Sequence, residues 1–555
     1  MIRIFSLLII FCFTFQSYSQ NCNYPTLKKV LLLGDSWGNF MWVYRTYKNS
    51  FDKFGYPDYI EEGTNTVENG AEAEDFMVNP KLNYIVNALN NNPDIEWVLI
   101  SLGGNDILGD WHKNFTQQQN DSLLDVIESR LNFLIDTIIH TKPNIQILLS
   151  GYDYPNFGET CFLVPTGAYA DLFEDMGSPS FNEINGILSQ LLQRFTDMSL
   201  SDPQLNIVNN LGLMQYVYGQ STNLIIPPYL PAYAPLSVTL PGGNINYPSP
   251  RAAMLANIDA FHLNQNAYQH FCDRQTELFF WEQFRKNKDT TFEALSGNFE
   301  GTLLNNNVSI GQISFGNISS VGETSSIITF NTEDLPDNAV VTDACLFLTR
   351  NAVTNQNPVL FYGTDMVLLD IVSGYFGNSA DVVISDFTEP ADADNIACLI
   401  GTAEGNKYKM RFQISDTAYL DFINTTGITQ FRISMNAYDS LANNIISVYN
   451  AASTGHYKPL LDVKYHLGTP VSSYSIQKAL KNIKIYPNPA DDYINIEGDD
   501  ICYLEILNTH NLILESINLN DSHTTISIKH LPSGLYIMKF VSRSGVTIKK
   551  FLVQH

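Results

Sequence analysis

Two hydrophobic periods alternate along the first half of the chain. Lys28–Leu33, Trp97–Leu102, Ile145–Ser150 and Leu205–Val208 are short aliphatic or β-branched runs, which read as buried strands. Asn83–Leu89, Asp121–His140, Phe181–Met198 and Ala267–Lys286 place apolar residues three and four apart, the stripe of an amphipathic helix. Strands alternating with helices predict a mainly parallel sheet covered on both faces, a three-layer α/β/α domain over residues 20–288. From 289 to 467 the helical period vanishes. Ser326–Phe330, Ala344–Leu348, Val367–Ile371 and Lys407–Ile414 lie between Asn, Asp, Gly and Pro, which predicts an all-β sandwich. Small polar residues over 468–480 read as a linker. Six strands then predict a second, smaller sandwich over 481–555: Ile483–Tyr486, Tyr493–Ile496, Tyr503–Leu507, Thr524–Ile528, Tyr536–Val541 and Val546–Val553.

The first 19 residues follow another pattern. Arg3 precedes an apolar run from Ile4 to Phe15 broken only by Ser6 and Thr14, and Ser17-Tyr18-Ser19 supplies the small residues of a cleavage site before Gln20. A signal peptide at 1–19 is therefore expected. Its apolar run is short for a membrane span, and no other stretch reaches 18 apolar residues, so no transmembrane segment is expected after its removal. Of the 555 residues 45% are hydrophobic, enough for several packed cores. Lys+Arg 31 against Asp+Glu 57 gives a net charge of −26, which repels phosphate backbones and argues against a nucleic-acid partner. Six cysteines remain beyond the signal, too sparse for a disulfide scaffold and without a C-x-x-C; Cys345 with Cys398 is the expected pair if a bridge forms.

The chemistry sits at strand ends. The first strand runs into Gly34-Asp35-Ser36, where a serine can face a ligand bound at the carboxyl edge of a sheet. Trp97–Leu102 runs into Gly103-Gly104-Asn105-Asp106, where an asparagine amide can donate to a developing oxyanion. Asp259-Ala260-Phe261-His262 places a carboxylate three residues before an imidazole, so the acid can fix the tautomer of the base. Gly34-Asp35-Ser36-Trp37-Gly38 also fits the G-x-S-x-G nucleophile elbow. That elbow normally follows several strands, whereas Ser36 follows the first. Among the other histidines, His140 suits a helix end and His270 reads as structural or as a neighbour of the site. No H-E-x-x-H, P-loop or dinucleotide fingerprint is present, so neither metal nor cofactor is expected. Leu211–Ser249, rich in Pro, Tyr and Leu, is a candidate wall of the substrate cleft or a loop packed on its own domain.

Residues 27–287 resemble the SGNH hydrolases, or GDSL esterases, on Gly34-Asp35-Ser36-Trp37, Gly103-Gly104-Asn105-Asp106 and Asp259-x-x-His262. Trp37 departs from the commoner leucine or isoleucine. The block carrying a glycine after the second strand is the loosest match, with Gly70 chosen and Gly63 its competitor. The resemblance implies a flavodoxin-like fold, Ser36 as nucleophile, His262 as base and Asp259 as its orienting partner. It also implies an oxyanion hole from the Ser36 and Gly70 backbone N–H groups and the Asn105 side chain. The middle region resembles the DNRLRE-type secreted sandwich on Ile327–Phe330, Leu335–Val341, Cys345–Leu348 and Lys458–Tyr465, which implies polysaccharide binding or a spacer. Its acidic loop (Asp386, Glu389, Asp392, Asp394) reads as solvated, with Ca²⁺ binding the alternative. Ile485–Pro489, Tyr493–Ile496, Leu531–Tyr536 and Lys549-Lys550 resemble the type A sorting domain of the type IX secretion system. That implies a Bacteroidota source, the type IX machinery as partner, and export through the outer membrane to the cell surface or beyond. The expected activity is a secreted serine esterase on acetylated or otherwise esterified polysaccharide. The alternatives are a lipase or phospholipase of the same family and a non-catalytic carbohydrate-binding adhesin.

Overall fold

The computed structural model describes residues 24–218, 243–304, 306–319, 322–401, 403–414, 416–436, 442–468, 483–498, 501–508, 513–518, 523–542 and 545–555. The expected signal segment, all but the first residue of the linker, and 219–242 of the Pro/Tyr-rich segment lie outside them. Contacts divide the chain into a unit up to His466 and a second unit from Leu467.

The first unit opens with β1 (Leu27–Gly34), α1 (Ser36–Val43), α2 (Thr46–Lys53) and β2 (Tyr59–Glu62). Next come α3 (Lys81–Asn91), β3 (Trp97–Ser101), α4 (Gly104–Asp110), α5 (Gln117–Thr141) and β4 (Gln146–Leu149). Two short helices, α6 (Phe157–Leu163) and α7 (Ala168–Asp175), precede α8 (Phe181–Ser201), β5 (Leu205–Ile207) and α9 (Leu213–Tyr218). After the Asp-x-x-His turn, α10 (Gln265–Gln275) continues through a π turn into α11 (Trp281–Phe284). The five strands are parallel in the order β2-β1-β3-β4-β5, a flavodoxin-like order. Right-handed crossovers require the β1-to-β2 helices on one face and the later connections on the other. Accordingly α10 packs with α1 and α2, while α5 packs with α3 and α8. β1 and β3 carry no exposed residue along their centres, which is why both read as unbroken apolar runs. The periodic pattern does not reveal β2. Its Tyr-Ile-Glu-Glu sequence suits an edge strand, where Glu62 pairs with Lys28 and Glu61 faces Arg45.

The chain then enters twelve strands of antiparallel structure: β6 (Thr290–Glu293), β7 (Glu300–Leu304), β8 (Asn307–Ile310), β9 (Ile313–Ile318), β10 (Gly322–Asn331), β11 (Ala339–Thr354), β12 (Val367–Ser373), β13 (Ala397–Ile400), β14 (Lys409–Ile414), β15 (Ile428–Met435), β16 (Asn444–Val448) and β17 (Leu460–Leu467). Two long strands change partners along their length. β10 pairs with β9 at its start and with β15 at its end; β11 pairs first with β14 and then with β16. The array encloses a core of Phe315, Phe330, Leu346, Met410, Phe412, Phe431 and Leu461. The register overturns the expected Cys345–Cys398 bridge. Both residues face Gln413 from opposite sides of β14, so their backbones stand two strand spacings apart, about 9.5 Å, beyond disulfide reach. Cys345 is a free thiol within 2.7 Å of Gln413 Oε1, and Cys398 is disulfide-bonded elsewhere. In the acidic loop, Asp386 accepts from the Val383 N–H and Asp392 from the Ser373 N–H, so these two carboxylates hold backbone.

The sandwich is fused to the edge of the parallel sheet where the strands begin. Leu27 pairs with Tyr59 there, and the neighbouring Asp58 takes a 2.7 Å ion pair from Arg411 of β14. Arg411 also lies over the Tyr56 ring, 4.3 Å from its centroid. Arg285, just after α11, grips Asp462 of β17 through Nε at 2.6 Å and Nη2 at 2.7 Å and stacks on Trp281. Lys409 is 2% exposed and lies over Trp281 from the sandwich side. Burial, helped by the Arg285 charge, pushes its ammonium down to about 7. Phe347 and Leu460 of the sandwich pack within the α/β core.

The second unit holds β18 (Lys484–Tyr486), β19 (Tyr493–Glu497), β20 (Ile501–Leu507), β21 (Ile513–Asn518), β22 (His523–Ser527), β23 (Gly534–Ser542) and β24 (Gly545–Val553). They form sheets of order β18-β19-β22 and β21-β20-β23-β24, with Ile494, Leu504, Met538, Phe540 and Phe551 in the core. The sequence pattern predicts six strands, and the described residues hold seven. β21 escapes because it is an edge strand paired only with β20, with Leu514 left exposed.

Asp58 is 9% and Arg411 6% exposed at the side chain, so Asp58→Ala strands a buried cation. It is expected to cost about 3–5 kcal/mol in urea unfolding. The folded pKa of Lys409 lies below its ordinary 10.5, so between about 7 and 10.5 the unfolded chain holds a proton that the folded chain lacks. Stability from this group therefore rises with pH through that window and is poorest below about 7. Lys409→Met is expected to flatten the slope and raise the urea midpoint at about pH 6 relative to about pH 9. An unchanged slope would contradict the assignment.

Candidate active site

Parallel pairing in register sets two motif segments side by side. Gly34 is opposite Ser101 at the carboxyl ends of β1 and β3, and the Asp35 N–H donates to the Ser101 carbonyl at 2.9 Å. Asp35 is the N-cap of α1: its Oδ1 accepts from the Trp37 N–H at 2.9 Å, leaving Ser36 as the first helical residue. The turn is a strand-to-helix turn on the first strand of the sheet, unlike an elbow preceded by several strands. Oδ2 of Asp35 accepts from the Tyr152 hydroxyl at 2.6 Å, and that oxygen accepts from the Gly104 N–H at 2.9 Å. A Cβ on Gly104 would sit 2.5 Å from the Tyr152 ring, so this contact requires glycine. Complete burial pushes the Asp35 carboxyl up to about 7 against the opposing Tyr152 and Trp37 hydrogen bonds. Trp37, where leucine or isoleucine is commoner, fits because Tyr152, Phe261, Tyr268 and Phe271 surround it with ring centroids 5.3–5.8 Å away.

Ser36, His262 and Asp259 come together. Ser36 Oγ lies 2.7 Å from His262 Nε2, and His262 Nδ1 lies 3.1 Å from Asp259 Oδ2. The other carboxylate oxygen accepts from the backbone N–H groups of Phe261 at 2.8 Å and His262 at 2.7 Å. The D-x-x-H spacing thus serves twice: one oxygen folds the turn and the other faces the imidazole. Burial disfavours the Asp259 charge, but the His262 hydrogen bond and charge outweigh it and hold the carboxyl below its usual range. Phe40 of α1 packs on the imidazole, 5.1 Å between centroids.

The loop that carries Gly70 is tied to the helices that begin with Ser36 and Gly104. Asn105 Nδ2 donates to the Ala71 carbonyl at 2.9 Å, and Asn39 of α1 donates to Asn69 at 2.8 Å, so the Asn69–Ala71 loop is held between α1 and α4. Gly70 has φ +77° with open space around its Cα, and its N–H has no hydrogen-bond partner among the described residues. A side chain on Gly63 would instead strike the Trp42 ring at 2.8 Å. The second amide hydrogen of Asn105 remains available. Asp106 steadies this loop, accepting from the Ala73 N–H at 3.1 Å and from Arg130 at 2.6 Å, while Arg130 also reaches Glu72 and Glu74.

Sequence reasoning missed Tyr169 of α7, whose hydroxyl is 2.6 Å from His262 Nδ1 and 3.2 Å from Asp259 Oδ2. It also missed Tyr152 and Arg130. All three act across long sequence separations with no local signature. His270 lines a different cleft with Lys53, Glu277 and Tyr457, a cavity of about 450 Å³.

Comparisons with known proteins separate the two ends of the chain. No curated protein matches it. Solved structures of similar shape include a lipase from a goat rumen metagenome (11% identity, 46% of this chain and 98% of that one, TM-score 0.28). Others are a carbohydrate esterase of family 3 from Talaromyces cellulolyticus (10% identity, 46% and 99%, TM-score 0.25) and a GDSL-like lipase from Bacteroides thetaiotaomicron (13% identity, 46% and 89%, TM-score 0.25). Residues 484–554 match the family model described as the secretion system C-terminal sorting domain. No helix among the described residues is long and apolar enough to cross a membrane. The C-terminal unit is a sorting domain of the type IX secretion system, which directs the chain to the cell surface or outside.

Proposed function

We propose that the chain is a secreted serine ester hydrolase of the SGNH type from a bacterium of the Bacteroidota, processed by the type IX machinery. The observation that carries the proposal is the continuous link from Ser36 Oγ through His262 to Asp259. His262 removes the Ser36 proton as Oγ attacks the ester carbonyl, because a neutral hydroxyl is a poor nucleophile. The carbonyl oxygen gains negative charge, which the Ser36 and Gly70 N–H groups and the Asn105 amide stabilise. The protonated His262 passes its proton to the leaving alkoxide, giving free alcohol and an acyl-Ser36 ester. Water, deprotonated by His262, then releases the acid and restores Ser36. Asp259 holds the imidazole in the tautomer that leaves Nε2 free to accept.

For the substrate we propose an acetylated or otherwise esterified polysaccharide. The sandwich is fused to the end of the sheet where the strands begin, opposite the end that carries Ser36, so it does not itself occupy the site. A specific observation favours a second reading, an acyl-lipid esterase: Phe162, Leu163 and Val164 are exposed in succession at the end of α6, and the next helix carries Tyr169 to His262. The adhesin reading accounts less well for the Ser36–His262 contact.

Ser36→Ala is expected to abolish turnover of aryl acetates by the full chain while leaving the thermal transition in place; undiminished turnover would sink the mechanism. Asn105→Ala is expected to lower kcat by about 10²–10³ with little change in KM. Release of acetate from acetylated xylan, set against release from long-chain acyl esters and phospholipid, separates the two substrate readings. Polysaccharide binding with no hydrolysis would favour the adhesin.

A further inference from the structure

The direct Asp259–His262 hydrogen bond is long for a charge-assisted pair. Charge-assisted N–H···O bonds run about 2.7–2.9 Å, whereas Nδ1 and Oδ2 stand 3.1 Å apart. The carboxylate cannot swing closer, because its other oxygen is pinned by two backbone N–H groups. The Tyr169 hydroxyl lies beside this bond, nearer to Nδ1 than the carboxylate is, at 2.6 Å against 3.1 Å.

A phenol carries one proton, so only two arrangements are available. In one, the hydroxyl donates to Asp259 Oδ2 and accepts from Nδ1–H, which leaves Nε2 unprotonated toward Ser36. In the other, it donates to Nδ1 and forces the ring proton onto Nε2, where His262 cannot take the serine proton. The charge of Asp259, 3.2 Å from the hydroxyl, selects the first. We infer that Tyr169 is a positioning residue that relays the Asp259 charge to His262 Nδ1 and fixes the productive tautomer. This inference rests on the serine hydrolase reading. Burial, reinforced by the Asp259 charge, raises the Tyr169 phenol above its usual range, so it keeps its proton. The other titratable groups bearing on the ring are Ser36 on Nε2, Asp35 beneath α1, and Tyr268, which lies 5.8 Å from Phe40.

The Tyr169 ring is partly buried against the α/β core and meets Phe157 and His262 edge-on, 6.2 Å and 6.1 Å between centroids. Its hydroxyl is the polar group of α7 that reaches the triad.

The test compares full-length wild type with Tyr169→Phe, which keeps the ring and removes the hydroxyl. Turnover of a small aryl acetate is expected to fall about tenfold in kcat, with KM within about twofold, because the hydroxyl is engaged by His262 Nδ1 and Asp259 Oδ2. The pH–rate profile of the variant is expected to differ from that of wild type, because the hydroxyl nearest Nδ1 is gone. The ring nitrogens of ¹⁵N-histidine-labelled protein, assigned against His262→Asn, are expected to report Nδ1–H in wild type and a shift toward Nε2–H in the variant. Identical kinetics, profile and nitrogen shifts would overturn the proposal. So would lost activity that merely follows a lowered melting temperature while the profile and tautomer stay fixed. If Ser36→Ala retained wild-type turnover, the hydrolase reading would fail by itself, and the nitrogen shifts would still report whether Tyr169 governs the His262 tautomer.

Discussion

The buried carboxylate of Asp35 ties three strand ends together, and the geometry of the site depends on it. It caps the helix that begins with Ser36, and through the Tyr152 hydroxyl it reaches the Gly104 N–H at the start of the helix that carries Asn105. Ser36 and Asn105 therefore belong to one hydrogen-bonded structure, although they follow separate strands. Burial resists the charge and pushes the carboxyl up to about 7, while the capping and phenol bonds pull the other way. The carboxylate is kept in a costly place because each of its oxygens has a positional task.

On the far side of Ser36 the arrangement is looser. Asp259 spends one oxygen on its own turn, so its approach to His262 is limited by backbone geometry rather than by the attraction of the two side chains. Tyr169 completes this side from a helix without a buried residue. Ser36 thus stands on a densely hydrogen-bonded base, while His262 is met by a helix that is only partly buried.

Legibility in the sequence followed the range of the interactions. The parallel strands were readable because burial on both faces writes an unbroken apolar run, and Ser36, Asn105, Asp259 and His262 were readable because each sits in a short local motif. Asp35 was visible as a letter of its motif but not as a structural hub, since Tyr152 lies 117 residues away. Tyr169 had no local signal at all, being 93 residues from His262. The edge strands β2 and β21 were missed because half-exposed strands carry polar residues that blur the period. The Cys345–Cys398 expectation failed because a disulfide depends on strand register, and sequence spacing does not reveal that β14 runs between the two.

The seam between the parallel sheet and the sandwich leaves little freedom between them. Only 285–289 separate α11 from β6, and the first of these, Arg285, is clamped to Asp462. The sandwich grips Asp58 beside Leu27 at one end of β1 and Ser36 follows the other end, the seven steps from Leu27 to Gly34 spanning roughly 23 Å at about 3.3 Å per residue. The two folds therefore keep a set stand-off rather than swinging on a tether.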